Sequence, residues 1–275
     1  MIRISAFGDE IAVDFEEQLK VLQTLKIPCI DVRKAWDITC TEFTRWQVQK
    51  INDLCAQYEI TVACMGTPIG KTPIQAPIEN EAERLKRIAD IAHQLGTDNL
   101  RIFSFYPEAD VTAEVMDNAI QRLQHLTELA ETLDVQLLLE NEKDLVGETP
   151  AQCHQILEAI NLPHLRFIWD PANFVQSGAE KQVDSWWSQL HPYIEYIHIK
   201  DALLIDGTVK PAGEGDGQVK ELLTQLHTNN YDGILSLEPH LVVAGHSSGF
   251  SGADGMEVAV KALRKLIAEV GIQEG

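Results

Sequence analysis

Four short apolar runs in the second half of the chain each lead into one side chain able to ligate a metal. They are Glu140 after Gln136-Leu137-Leu138-Leu139, Asp170 after Arg166-Phe167-Ile168-Trp169, His198 after Tyr196-Ile197, and Glu238 after Leu235-Ser236-Leu237. Three carboxylates and one imidazole form an oxygen-rich donor set for one divalent cation. Oxygen ligation suits Mg2+ or Mn2+, and the imidazole moves the preference toward Mn2+, Co2+ or Zn2+, so Mn2+ is the first expectation. Four protein donors leave coordination positions open to water or a substrate oxygen, which points to catalysis rather than a structural site. Lys200, in phase with His198, is a candidate to polarise a substrate oxygen; the plainer alternative is a rim charge paired with Asp201. Arg33 and Arg101 could hold a hydroxyl or a carboxylate, or serve in ion pairs at the bottom of the fold. His240, two residues after Glu238, is a candidate substrate contact, and Glu142 rivals Glu140 as a ligand but falls past the expected strand end.

Side chains this far apart along the chain meet only if a repeating framework brings them together. Short apolar or β-branched runs begin near Arg3, Cys29, Thr61, Asn99, Val135, Leu165, Ile194 and Gly233, roughly 27 to 40 residues apart, the length of a βα unit. Eight such units predict a closed (β/α)8 barrel, whose active-site face is formed by the C-terminal strand ends. Strand phase agrees. If Glu140 points inward, Leu138 shares its face, as do Ile168 with Asp170, Tyr196 with His198 and Ser236 with Glu238. The opposite face, Phe167, Trp169, Ile197, Ile199, Leu235 and Leu237, is uniformly apolar, as a helix-covered exterior requires. Between the strands, Phe15-Leu19-Leu22-Leu25, Leu85-Ile88-Ile91-Ala92-Leu95 and Val258-Ala262-Leu266-Ile267 carry helical spacing. Gly96 and Gly271 are placed to end helices, and Thr149-Pro150 and Asp254 to start them. No Gly/Ser linker or low-complexity tract divides the chain, so residues 1–275 are expected to form a single α/β barrel domain.

Composition narrows the partners. The 42 acidic residues against 22 basic ones give a formal charge of −20, which repels a polyanion, so nucleic acid is not expected as a partner. The five cysteines are scattered and odd in number, indicating neither a disulfide frame nor a zinc ribbon and fitting a reducing cytoplasm. No signal-peptide pattern and no apolar run of membrane-spanning length is seen, so a soluble cytoplasmic protein is expected.

With those residues in place, the chain resembles the xylose isomerase-like TIM-barrel superfamily, in the group of sugar phosphate isomerases and epimerases. The matching segments are Ser5-Ala6-Phe7-Gly8-Asp9-Glu10-Ile11, Leu139-Glu140-Asn141, Trp169-Asp170-Pro171-Ala172-Asn173, His198-Ile199-Lys200-Asp201, Gly213-Glu214-Gly215-Asp216 and Leu237-Glu238-Pro239-His240. The motifs are short, and their order and spacing over nearly the whole chain carry the resemblance. It implies that Glu140, Asp170, His198 and Glu238 bind one divalent metal ion. It also implies a small-molecule sugar, keto-sugar or polyol substrate. One position departs: sugar epimerases of the group often have His three residues after the metal-binding Asp, where this chain has Asn173, a candidate substrate contact.

In the expected chemistry a proton leaves the carbon beside a carbonyl, the resulting enediolate is stabilised by the metal, and Glu140 and Glu238 act as base and acid. Return of the proton gives an epimer or an aldose-ketose isomer; loss of a β-hydroxyl makes the enzyme an inosose or keto-sugar dehydratase. The ligands cannot choose among these outcomes. An endonuclease is less favoured, because such members gather several zinc ions through many histidines. In the seventh unit, Gly213-Glu214-Gly215-Asp216-Gly217 places carboxylates where a phosphate would need amides and Lys, favouring a free sugar, while the Gly245-His246-Ser247-Ser248-Gly249 stretch keeps phosphate open. Trp36 and Trp186-Trp187 are read as helix-barrel packing or, if exposed, as a contact in a homo-oligomer.

Overall fold

The computed structural model describes residues 1–241 and 251–275; His246 and the glycine-rich stretch around it lie outside the described residues. Eight strands form the central sheet: β1 (Arg3–Ala6), β2 (Cys29–Val32), β3 (Thr61–Gly66), β4 (Asn99–Ile102), β5 (Gln136–Glu140), β6 (Leu165–Trp169), β7 (Ile194–Ile199) and β8 (Ile234–Leu237). Each pairs in parallel with the next from β2 round to β8, and β8 pairs with β1. The ring closes between β1 and β2 through an isolated backbone bridge from Phe7 to Asp31. This is the (β/α)8 barrel anticipated from the spacing of apolar runs, with six of the eight strand starts as read and Gln136 and Ile234 each one residue later.

The covering helices are α1 (Phe15–Thr24), α2 (Arg45–Tyr58), α3 (Ile78–Gln94), α4 (Ala113–Leu133), α5 (Pro150–Ile160), α6 (Pro171–Gln176), α7 (Gln182–Leu190), α8 (Val219–Thr228) and α9 (Gly252–Val270). Their starts are chemically marked. Asp14, Thr44, Thr112 and Thr149 each accept a backbone N–H of the first turn, with capping boxes at Thr44-Gln47 and Thr149-Gln152. Gly96 and Gly271 take the left-handed conformation that ends a helix, with φ of 76° and 84°. Two readings are corrected. Asp254 lies in the first turn of α9, after the start at Gly252. Val258 is 42% exposed, and the buried stripe of α9 is Met256, Ala259, Val260, Leu263, Leu266 and Ile267. Apolar residues surround this helix on more than one face, so spacing alone admits the wrong stripe.

Strand alternation separates two cores. Leu138, Ile168, Tyr196, Cys29, Ala63, Cys64 and Ile234 fill the barrel interior, whereas Phe167, Trp169, Ile197, Ile199, Leu235 and Leu237 pack outward against the helices. The interior also holds a carboxylate. Asp31 accepts hydrogen bonds from Ser5 Oγ at 2.6 Å, Tyr196 OH at 2.6 Å and Ser236 Oγ at 2.8 Å, fastening β1, β2, β7 and β8 together. Trp36, Trp186 and Trp187 are partly buried against the outer core, in keeping with packing; Trp46 is the exposed one, at 69%. Among the described residues no helix is long and apolar enough to cross a membrane.

Candidate metal centre

Consecutive strands deliver the four donors. Glu140 is the last residue of β5, Asp170 follows β6, His198 is next to last in β7 and Glu238 follows β8. One donor atom from each lies within 4.8 Å of the others. His198 Nδ1 faces all three carboxylates, 2.9 Å from Glu140 Oε1, 3.7 Å from Glu238 Oε2 and 4.0 Å from Asp170 Oδ2. Donors bound to one ion at about 2.0–2.6 Å sit no more than about 4–5 Å apart, so the set fits a single divalent ion. Asp170 sharpens the fit. Its Oδ1 accepts the Asn173 N–H at 2.9 Å and caps α6, while its buried Oδ2 faces the cluster, where the Lys200 ammonium lies 2.9 Å away. Asn141 fixes the Asp170 backbone, accepting its N–H at 2.8 Å and donating to its carbonyl at 2.9 Å.

The remaining candidates surround this cluster. Arg101 Nη1 lies 3.2 Å from Glu140 Oε2, and Arg33 Nη1 lies 2.7 Å from Glu238 Oε1. Both arginines therefore stand at the mouth rather than the bottom of the barrel. Asn173 Nδ2 is 3.3 Å from Glu140 Oε1 and 2.9 Å from the Asn141 carbonyl. Lys200 is not paired with Asp201, which corrects the plainer reading: its Nζ lies 2.9 Å from Asp170 Oδ2 and 3.1 Å from Glu238 Oε2. Asp201 instead accepts the N–H groups of Ala202, Gly213, Gly215 and Gly217 at 2.9–3.0 Å. Glu142 turns away to Lys71 Nζ at 2.6 Å, leaving Glu140 in the cluster.

His240, with φ of 44°, is held by Glu10. The Glu10 carboxylate accepts the His240 N–H at 2.9 Å and the Ser251 hydroxyl at 2.8 Å, and its Oε1 lies 3.1 Å from His240 Nε2. Asp9 similarly holds Arg33 Nε at 2.7 Å. Asp9, Glu10, Lys71 and Gln176 were not singled out from sequence as site residues; only the adjacent acids just after β1 left a visible signal. The cleft above the donors has a volume of about 290 Å³ and is lined by Arg33, Lys71, Arg101, Asn173, Gln176, Lys200, Glu238 and His240, among others.

Charge fixes the protonation pattern. Burial opposes ionisation of Glu140, but His198 and Arg101 outweigh it and hold its pKa at about 2. Glu238 is likewise buried yet held well below the ordinary range by Lys200, His240 and Arg33. Burial raises Asp170 to about 6 against the pull of Lys200, with Glu140 and Glu238 adding to the rise. Burial disfavours charge on His240 and Lys200 repels it, yet Glu238 and Glu10 prevail and lift its pKa to about 9. Glu140 and Glu238 are thus ionised at neutral pH.

Comparison with solved structures supports the fold over nearly the full chain. A zinc-bound IolI protein aligns with a TM-score of 0.80 at 14% identity, covering 98% of this chain and 99% of that one. A probable 3-DHS dehydratase, AsbF of Bacillus anthracis, gives 0.75 at 18% identity over 96% and 99% of the two chains. D-allulose 3-epimerase of Methylomonas sp., in complex with D-allulose, gives 0.71 at 16% identity over 97% and 96%. The family model for the xylose isomerase-like TIM barrel matches residues 32–266, and the chain belongs to that family.

Proposed function

We propose that the protein is a divalent-metal-dependent isomerase or epimerase of a free sugar or keto-sugar. The observation that carries this reading is the convergence of Glu140, Asp170, His198 and Glu238 within 4.8 Å beneath an open cleft. A divalent ion held by these residues would supply Lewis-acid stabilisation of negative charge developing on substrate oxygens. The chain itself supplies the proton transfer. Both glutamates begin as carboxylates, so one takes the proton from the carbon beside the substrate carbonyl. Returned by that residue to the adjacent carbon it gives an isomer, whereas an epimer needs the other glutamate, first protonated from solvent, to deliver a proton to the opposite face. Arg101 and Arg33 orient these carboxylates through Glu140 Oε2 and Glu238 Oε1, while Asn173 and His240 offer polar contacts to substrate hydroxyls.

Charge pairing favours an unphosphorylated substrate. Among the described residues lining the cleft, Arg33 pairs with Asp9 and Glu238, Arg101 with Glu140, Lys200 with Asp170 and Glu238, and Lys71 with Glu142. The amides of the Gly213–Gly217 loop, which could otherwise cradle a phosphate, are turned onto Asp201.

The test is incubation of the Mn2+-supplied protein in D2O with a panel of free ketoses, aldoses and inososes. Deuterium entering the carbon beside the carbonyl supports the proposal, and no exchange across the panel rejects it. Water loss with a new enone absorbance assigns the dehydratase chemistry instead, a reading favoured by the full-length structural match to a probable dehydratase.

A further inference from the structure

Of the cations around the cluster, Arg33 and Arg101 make their short contacts with Glu238 Oε1 and Glu140 Oε2, the carboxylate oxygens turned away from His198 Nδ1. Lys200 does not. Its ammonium touches Asp170 Oδ2 at 2.9 Å and Glu238 Oε2 at 3.1 Å, two of the oxygens that converge on His198 Nδ1. Lys200 is only 4% exposed, and its backbone follows β7 directly, so the contact is set by the strand that also carries His198.

We propose that Lys200 is a built-in competitor of the metal ion, a tethered ammonium that neutralises two ligand carboxylates and must be displaced from them when the ion binds. The proposal rests on the metal-dependent reading and adds to it a role for this chain's own residue in setting how tightly the ion is held. An ion bound about 2.1–2.3 Å from Asp170 Oδ2 would lie no more than about 5 Å from an ammonium left in place. Two cations that close repel strongly enough, even in a solvent-like medium, to change an affinity by about tenfold. One oxygen cannot serve both at contact distance without that cost. Displacement relieves the repulsion but breaks two ion pairs, so in either case the ion binds less tightly than the four donors alone would allow.

The experiment is calorimetric titration of the metal-stripped full chain with Mn2+, comparing the natural protein, Lys200→Met and Lys200→Arg. Lys200→Met is expected to bind Mn2+ at least tenfold more tightly while melting at a lower temperature without metal, because two buried carboxylates have lost their counter-ion. Lys200→Arg, which keeps the charge, is expected to restore weak Mn2+ binding. A purely structural role for Lys200 would lower stability and affinity together. Unchanged or weaker Mn2+ binding by Lys200→Met therefore overturns the proposal. Should the metal-free variant fail to fold, Mn2+ loss from the loaded variant to excess chelator is timed instead. Release about tenfold slower than from the natural protein supports the proposal, and equal or faster release overturns it. Absence of Mn2+ binding by the natural protein would remove the metal reading itself, a result distinct from equal affinities in the two proteins.

Discussion

Replacing Asp31 tests the account of the barrel interior most directly. The carboxylate is 1% exposed and accepts three hydroxyl hydrogen bonds, from Ser5, Tyr196 and Ser236. In Asp31→Ala all three buried hydroxyls lose their acceptor, at roughly 1–2 kcal/mol each, so the expected loss is about 3–6 kcal/mol, a large share of the 5–15 kcal/mol typical of a folded domain. Asp31→Asn keeps one oxygen for Ser5 and Tyr196, and its amide can donate to Ser236 once that hydroxyl rotates. Its cost is expected to stay within about 1 kcal/mol. Urea unfolding of the metal-free proteins measures both.

The pH dependence has a definite sign. Burial raises the Asp31 carboxyl above its ordinary value, opposed by the hydrogen bonds from Ser5 and Tyr196. A raised acid holds its proton more tightly folded than unfolded, so no penalty exists below the ordinary carboxylate pKa of about 4, and the penalty grows as pH rises through the folded value. Asp31→Asn does not titrate there. Its stability relative to the natural protein should therefore increase from about pH 4 upward. The reasoning is refuted if Asp31→Ala unfolds within 1 kcal/mol of the natural protein, or if the Asn variant is as unstable as the Ala variant.

Three further outcomes are expected. Elemental analysis should find about one divalent ion per chain after purification with Mn2+, and Asp170→Ala or His198→Ala should abolish that stoichiometry; with Mn2+ at about a hundredfold over its dissociation constant, the natural protein should gain about 2.7 kcal/mol against unfolding. Glu140→Gln and Glu238→Gln, assayed with saturating Mn2+ once a substrate is found, should each lower kcat by roughly 10²–10⁴-fold; retention of full rate in either variant would remove that residue from proton transfer. Gly215→Ala should cost about 2–4 kcal/mol and lower the melting temperature, because an added Cβ would collide with the Asp201 carboxylate and the Ala202 backbone.

The barrel and the convergence of Glu140, Asp170, His198 and Glu238 were legible because both follow from local patterns. A strand must alternate, so Leu138, Ile168 and Tyr196 announce their interior face, and a polar residue ending such a run stands out against its neighbours. The surroundings of the donors were far less legible. Arg33 meets Glu238 across 205 positions of sequence, and Glu10 meets Ser251 across 241; these contacts exist only because the ring closes, and no short-range pattern encodes them. Asp31 was visible as a charge inside Cys29-Ile30-Asp31-Val32, but its three hydroxyl partners come from β1, β7 and β8. Helix α9 shows the reverse failure, where abundant apolar residues made the local pattern ambiguous.

The closure between β1 and β2 rests on one backbone bridge, Phe7 to Asp31. Side chains fasten that seam from above and below: Asp9 and Glu238 grip Arg33 at the rim, while Ser5 and Ser236 grip Asp31 within. The groups that tune Glu238 are therefore also the hoop around the mouth of the barrel. Changes that retune the chemistry at Arg33 will loosen the vessel as well, coupling the evolution of new specificity on this side of the ring to its mechanical integrity.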